Sequence, residues 1–382
     1  MHLVRIIHII IGLNVGGAEM MLVRLLKYKS ITGGFECMVV SLTDVGKLGP
    51  TIEGMGIRVI AINITSILNL PFSFIKLIHI IKEYRPNIVQ TWMYHSDLLG
   101  GIAARICGVK RVIWNIRNTQ ISHKNFSLSY FLVKLCAVFS YFLPTNIVCC
   151  ANSVLSFHVA RGFSRKKMLV INNGYELPKK YIFSNSEKIF SRERIGINRD
   201  DFIIGAVGRF DILKDYKNFI LGAAEFARVV PNTKFILVGK DINWNNYLLV
   251  NWILEANMST NFILLGERSD INELFLAMDI FCSSSKSEGF SNVVAEAMAM
   301  RLPCVVTNVG DSALIVGDSG IVVPPEDYVA LSEGFFELFS LGACGRLLRG
   351  SRARELIING FSIDFIGSLY MKLYLSDEKH CA

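Results

Sequence analysis

Ser285-Lys286-Ser287-Glu288-Gly289-Phe290-Ser291-Asn292-Val293-Val294-Ala295-Glu296-Ala297-Met298-Ala299 is the stretch from which the rest of the chain can be read. An apolar strand, Met278 to Cys282, leads into it, and a helix opens near Ser291 or Asn292. Ser or Asn at that point can cap the first free N–H groups. Val293, Val294, Ala297 and Met298 then recur at helical spacing and form one apolar face. The open N–H groups and the helix dipole make this end an anion site, and Gly289 allows a ligand close to the backbone. Glu288 and Glu296 flank it. Carboxylates are poor partners for phosphate but strong acceptors for hydroxyl groups, so the pattern of anion plus polyol reads as a nucleotide sugar.

Length and charge set the frame for this stretch. A chain of 382 residues suggests two domains, each able to bury a core. The net charge of +8 is unevenly distributed: residues 1–183 hold 21 Lys+Arg against 7 Asp+Glu, and residues 184–382 hold 19 against 25. A basic half joined to an acidic half points to a polyanion facing the first domain. No nucleic-acid motif accompanies the charge, which leaves an anionic membrane or a lipid diphosphate as the expected partner. The nine cysteines form no C-x-x-C pair and read as reduced core residues. The seven histidines form no metal-binding cluster, so no metal site is expected. The most apolar long stretch, Phe126 to Leu143, is broken by Lys134, and the run Ile6 to Leu13 reads as a strand rather than a signal peptide.

Taken in order, the chain alternates strand and helix. Val4 to Ile11 leads through Gly12-Leu13-Asn14-Val15-Gly16-Gly17 into a helix, a Gly-rich turn suited to phosphate but lacking the G-x-G-x-x-G dinucleotide spacing. Strands at 36–42, 58–62, 88–95, 111–116, 146–150 and 168–173 alternate with helices, the pattern of a doubly wound parallel sheet. His95, Arg117 and Asn118 are expected at carboxyl ends of its strands, where ligands sit in such folds. Ser122 to Leu143 reads as a long helical stretch, and Pro178 to Arg194 as a polar linker. A second alternating domain starts near Ile203 and carries Gly208-Arg209 with Lys214 five residues on. Two fixed cations there can neutralise a leaving diphosphate without a metal.

These residues resemble glycosyltransferase family 4. The resemblance rests on S-x-x-E-G-F-x-x-x-x-x-E-A-M-A at 285–299, G-R-x-x-x-x-K at 208–214, the Gly16-Gly17 turn, Asn172-Asn173-Gly174-Tyr175-Glu176 and the segment Pro303 to Pro325. It implies an α/β GT-B fold: two Rossmann-like doubly wound parallel-sheet domains facing a cleft, with a last helix, Ile363 to Leu375, crossing back to the first domain. The implied boundaries are 1–183 plus 362–382 for the acceptor-binding domain and 184–361 for the donor-binding domain. The resemblance further implies a retaining transferase with no cofactor, using a nucleoside diphosphate sugar as co-substrate, UDP favoured over GDP. Its site would comprise Gly16, Gly17, Arg209, Lys214, Glu288, Gly289, Phe290, Ser291, Asn292 and Glu296 on the donor. Glu288, Arg209, Lys214, Arg117 and His95 would act at the reacting centre. Many relatives carry His where this chain has Arg117; Arg stays charged and cannot act as a base, so an electrostatic clamp is expected there.

The acceptor implied is a lipid-diphosphate-linked glycan of bacterial O-antigen or capsule synthesis. The enzyme would be cytoplasmic and peripheral at the inner face of the plasma membrane, docked through Lys124, Lys134, Arg161, Arg165, Lys166 and Lys167, with no nucleic acid as partner. A nucleotide-sugar epimerase of the same fold and a non-catalytic sugar-nucleotide binding protein are the alternatives.

Overall fold

The computed structural model describes residues 3–28, 33–118, 128–180 and 184–376. It divides into one unit of residues 1–176 and 363–382 and another of residues 177–362. The first crossing thus falls at 176/177, ahead of the 183/184 read from the sequence.

The first unit is built on a seven-stranded sheet of order β3-β2-β1-β4-β5-β6-β7, parallel throughout. Its strands are β1 (Val4–Ile10), β2 (Phe35–Ser41), β3 (Arg58–Ala61), β4 (Ile88–Trp92), β5 (Arg111–Ile116), β6 (Asn146–Cys149) and β7 (Met168–Val170). The central strands are buried on both faces, which is why they read as continuous apolar runs. The helix Ile363–Leu375 belongs to this unit and lays Ile366, Tyr370, Leu373 and Tyr374 against Ile6, Ile10, Trp92 and Ile113. Polar contacts fix its register. Tyr374 Oη donates to Gln90 Oε1, and Arg111 donates to the carbonyls of Leu373 and Tyr374, both at 2.6 Å.

A six-stranded sheet of order β10-β9-β8-β11-β12-β13, also parallel, forms the second unit. Its strands are β8 (Phe202–Val207), β9 (Thr233–Val238), β10 (Phe262–Leu264), β11 (Ile280–Ser283), β12 (Cys304–Thr307) and β13 (Ile321–Val323). Phe219, Phe226, Phe235, Phe262 and Phe335 pack mostly edge to face in its core. In each sheet the strand order reverses once, between β1 and β4 and between β8 and β11. Crevices beyond the carboxyl ends at such switch points are where these folds hold ligands.

Three sequence expectations change. The stretch 178–194 is not only a linker, because Asn185–Glu193 is a helix. Ser184 and Glu187 cap it reciprocally, and Arg192 is buried with its Nη2 on Asp279 Oδ2 at 2.7 Å. The Ser-x-x-Glu spacing is a legible capping box. The helical stretch expected from Ser122 is described only as Leu128–Phe139, and Lys124 lies outside the described residues. Lastly, His95 is not at the strand end: β4 stops at Trp92, and His95 is in the first turn of the helix Tyr94–Ile106, exposed.

Candidate functional site

In the second unit the site forms where the loops after β8 and β11 are bonded to one another. Gly208 ends β8's extension, and Gly239, after β9, passes so close that a Cβ on it would lie 2.0 Å from the Gly208 carbonyl oxygen. Asp211 caps the short turn Ile212–Lys214 by accepting from Leu213 N at 3.0 Å. That turn is joined to the 283–288 segment. Lys286 N donates to Leu213 O at 2.8 Å, and Ser284 Oγ donates to Lys214 O at 2.9 Å. This scaffold brings Lys214 Nζ to 2.6 Å from Glu288 Oε1, and Ser285 Oγ donates to the same oxygen at 2.9 Å. The pair is largely shielded, with side-chain exposures of 26% for Lys214 and 13% for Glu288.

Arg209 is exposed and turned to a nearer acid, its Nη2 lying 3.0 Å from Asp211 Oδ2. Sequence spacing therefore places Arg209 and Lys214 in one loop, but each cation is matched with a carboxylate of its own. Lys286 carries a third cation in this turn, 2.6 Å from Glu326 and 3.6 Å from Asp215.

The helix Asn292–Ala299 begins directly behind Glu288. Ser291 holds its N-cap position, yet its side chain makes no capping bond: Oγ is buried, the residue 2% exposed, and it has no partner. A buried hydroxyl without a partner is costly and calls for an explanation. Phe290 is buried against Phe361, rings 5.6 Å apart, which anchors the turn from below. Gly289, Asn292 and Glu296 are half-buried. Gly310, with φ +56°, touches the turn from the other side. A Cβ there would lie 2.4 Å from Glu288 O, so only glycine fits.

In the first unit the expected residues follow three neighbouring strands. Gly16 and Gly17 stand at the start of the helix Gly17–Lys27, after β1, and Glu19 folds back over Gly16. Met93, between β4 and His95, has φ +71°, an outlier for a bulky residue and of the kind that gathers at functional sites. After β5, Arg117 stacks over Trp92 with its guanidinium carbon 5.2 Å from the ring centroid. Its Nε donates to Asn115 Oδ1 at 2.8 Å, its Nη1 to Asn173 Oδ1 and its Nη2 to Tyr370 Oη. Sequence reasoning missed Asn173 and Tyr370 as holders of this cation, since 253 residues separate Tyr370 from Arg117. Ser285 was inside the quoted motif without a role.

Residues 15–178 match the family model described as Glycosyltransferase Family 4, and residues 187–349 match Glycosyl transferases group 1. Together the two matches span most of the chain, which is a glycosyltransferase built of one domain of each family. Over 318 residues, 80% of each chain, it is 26% identical to the UDP-Gal:alpha-D-GlcNAc-diphosphoundecaprenol alpha-1,3-galactosyltransferase of Escherichia coli. It is 24% identical over 309 residues to the capsular polysaccharide biosynthesis glycosyltransferase CapM of Staphylococcus aureus, covering 79% of this chain and 80% of that one. Among solved structures, Anabaena HepE in complex with UDP superposes with a TM-score of 0.84 at 19% identity, covering 97% of this chain and 99% of that one. A glycosyltransferase from Rickettsia africae gives 0.82 at 19% identity, over 98% of both. The fold of this glycosyltransferase is thus GT-B, as its motifs imply.

Proposed function

We propose that the protein is a retaining, metal-independent transferase that moves a hexose or N-acetylhexosamine from a UDP-sugar to a lipid-diphosphate-linked glycan in bacterial surface polysaccharide synthesis. The observation that carries this reading is the Lys214–Glu288 pair beside the unpartnered Ser291 hydroxyl at the start of the helix Asn292–Ala299. A diphosphate entering there gains the open helix end, the Ser291 hydroxyl and two nearby cations. Lys214 exchanges Glu288 for the diphosphate. Glu288 is thereby released to accept hydroxyl groups of the transferred sugar, and Glu296 accepts those of the ribose. Charge on the leaving diphosphate is met by Lys214 and Arg209, the stabilisation that matters most when charge develops in the transition state. The attacking group is an acceptor hydroxyl, whose proton passes to the leaving phosphate.

The choice of UDP and of a lipid-diphosphate acceptor is supported by the name of the Escherichia coli relative and by the UDP bound to the Anabaena neighbour. Position at the membrane is supported by the charge of the first unit. On its surface Phe131, Tyr141 and Phe142 are exposed, Phe142 at 72%, in the neighbourhood of Lys134 and Lys167. Among the described residues no helix is long and apolar enough to cross a membrane. Basic residues near an anionic surface contribute about 1 kcal/mol each. Binding to phosphatidylglycerol vesicles that 1 M salt does not weaken would rule out docking by charge, since the Debye length there is about 3 Å.

The reading is tested by incubating the protein with UDP- and GDP-sugars and a polyprenyl-diphosphate-linked sugar in excess chelator, following the product's anomeric configuration by NMR. Transfer with retention is expected at full rate. Transfer that needs added magnesium or manganese would overturn the assignment of the leaving group to Arg209 and Lys214.

A further inference from the structure

Between Asp97 and Glu176 the sequence contains no acidic residue, while residues 98–175 carry ten Lys+Arg. Three of them donate to neutral backbone oxygens. Arg105 donates to the carbonyls of Leu143, Val109 and Lys110, Arg165 to that of Met168, and Lys167 to those of Tyr141 and Pro144. A carbonyl orients a cation without cancelling its charge.

Arg117 is the member of this group at the carboxyl edge of the sheet, just past β5. It is half-buried, and its three partners are the amides of Asn115 and Asn173 and the phenol of Tyr370, all neutral. The holders are themselves fixed. Asn115 and Tyr370 are fully buried, and Asn115 Nδ2 donates to Tyr370 Oη at 3.0 Å. Among the described residues no carboxylate lies within ion-pair distance of Arg117. The residues that follow, 119–127, include no Asp or Glu in sequence. A guanidinium has more N–H donors than these three bonds use. Its conformational cost is already met, its charge is not neutralised, and it stands where this class of sheet receives ligands.

We propose that Arg117 is an oxyanion receptor, taking a carboxylate or phosphate oxygen of a substrate at the carboxyl edge of the first unit. The inference rests on the glycosyltransferase reading and narrows its substrates to a pair of which at least one member carries such a group there. Two sources share this chemistry: a donor whose sugar is a uronic acid, and an acceptor whose glycan is attached through a diphosphate.

The test uses the full chain with two matched pairs, UDP-glucuronate against UDP-glucose and a polyprenyl-diphosphate-linked N-acetylhexosamine against the same sugar on an uncharged alkyl chain. Affinities are read by titration calorimetry and KM by transfer assay, for the wild type, Arg117→Gln and Arg117→Lys. Loss of a charge-assisted hydrogen bond corresponds to roughly ten- to hundredfold in affinity. Arg117→Gln should weaken the charged member of one pair by that factor relative to its neutral partner. The pair that responds identifies the source. Arg117→Lys keeps the cation and should retain part of the preference. Equal weakening of charged and neutral members would make Arg117 an internal anchor only and overturn the proposal, as would no weakening at all. Should Arg117→Gln not fold, a wild-type protein that prefers neither charged member at low salt would overturn it equally. Binding of no nucleotide sugar by any variant would instead reject the glycosyltransferase reading itself.

Discussion

Lys214 in the second unit and Arg117 in the first are both candidate anion-binding cations at the carboxyl edges of parallel sheets, but they are held in opposite ways. Lys214 is joined to Glu288 at 2.6 Å, so its charge is cancelled until something displaces the carboxylate. Arg117 is held by two amides and a phenol, which orient it and leave its charge in force. The contrast extends beyond these two residues, since the first unit has a stretch from 98 to 175 without acids and the second has ion pairs at 209–211, 214–288 and 286–326. A paired cation is suited to a ligand that arrives and leaves as part of the reaction, because the carboxylate can take the cation back. An unpaired one is suited to recognition, because it meets the ligand without a competing partner.

The largest effect that follows is on turnover. Lys214→Ala should lower kcat by roughly 10²-fold or more, the scale of losing one preorganised charge stabiliser. Arg209→Ala should cost less, about tenfold, since Arg209 is exposed and matched with Asp211. A kcat within a factor of a few of wild type for Lys214→Ala would remove the leaving-group role.

Acid should separate the two units next. His8 and His158 are buried in the first unit, and residues 177–362 contain no His. Burial pulls His8 down to about 3 and His158 down to about 4, from an ordinary value of 6.5. Their stabilising effect is whole above pH 6.5 and is lost as pH falls towards those folded values, because only the unfolded chain takes up the proton. Asp97 acts in the opposite sense: burial raises its carboxyl, so its share of the change with acid favours folding. Each histidine costs at most about 1.4 kcal/mol per pH unit as the unfolded chain takes up its proton, and the two together outweigh the single opposing aspartate. Hydrogen exchange corrected for intrinsic rates should show β4 and β5 losing stability between pH 6.5 and 5, with β8 and β11 losing clearly less. Equal losses in both sheets would contradict the account.

A smaller effect is expected at Glu296. Contacts to ribose are alike in ground and transition states, so Glu296→Ala should weaken donor binding with kcat nearly unchanged. An unchanged donor affinity would withdraw the ribose role.

The sheets were legible because buried parallel strands read as unbroken apolar runs, as Ile203 to Val207 and Ile88 to Trp92 do, and because Gly punctuates the turns that follow. The donor turn was legible for a local reason: Glu288, Ser291 and Glu296 lie within one short segment, so spacing alone places them about one helix end. Pairing across loops was not legible. Nothing in the spacing of Arg209 and Lys214 says that Asp211 takes one and Glu288 the other. Arg117 was read as a clamp from its charge, whereas its holders Asn173 and Tyr370 come from a loop and a helix far along the chain. The strand end at His95 was misplaced for a backbone reason, because the bend at Met93 lets the helix start earlier than the apolar pattern suggests.

The central claim is that Lys214 must leave Glu288 before it can take the diphosphate, and UDP binding to Glu288→Gln tests it most directly. Glutamine keeps the side chain's size and an acceptor oxygen for Ser285 but removes the charge that competes for Lys214. Titration calorimetry at fixed salt should find UDP bound more tightly by the variant than by wild type, by roughly three- to tenfold, while transfer from the UDP-sugar falls because the sugar loses its charged acceptor. UDP affinity that is unchanged or weaker in Glu288→Gln would contradict the exchange and leave the Lys214–Glu288 pair as a structural contact.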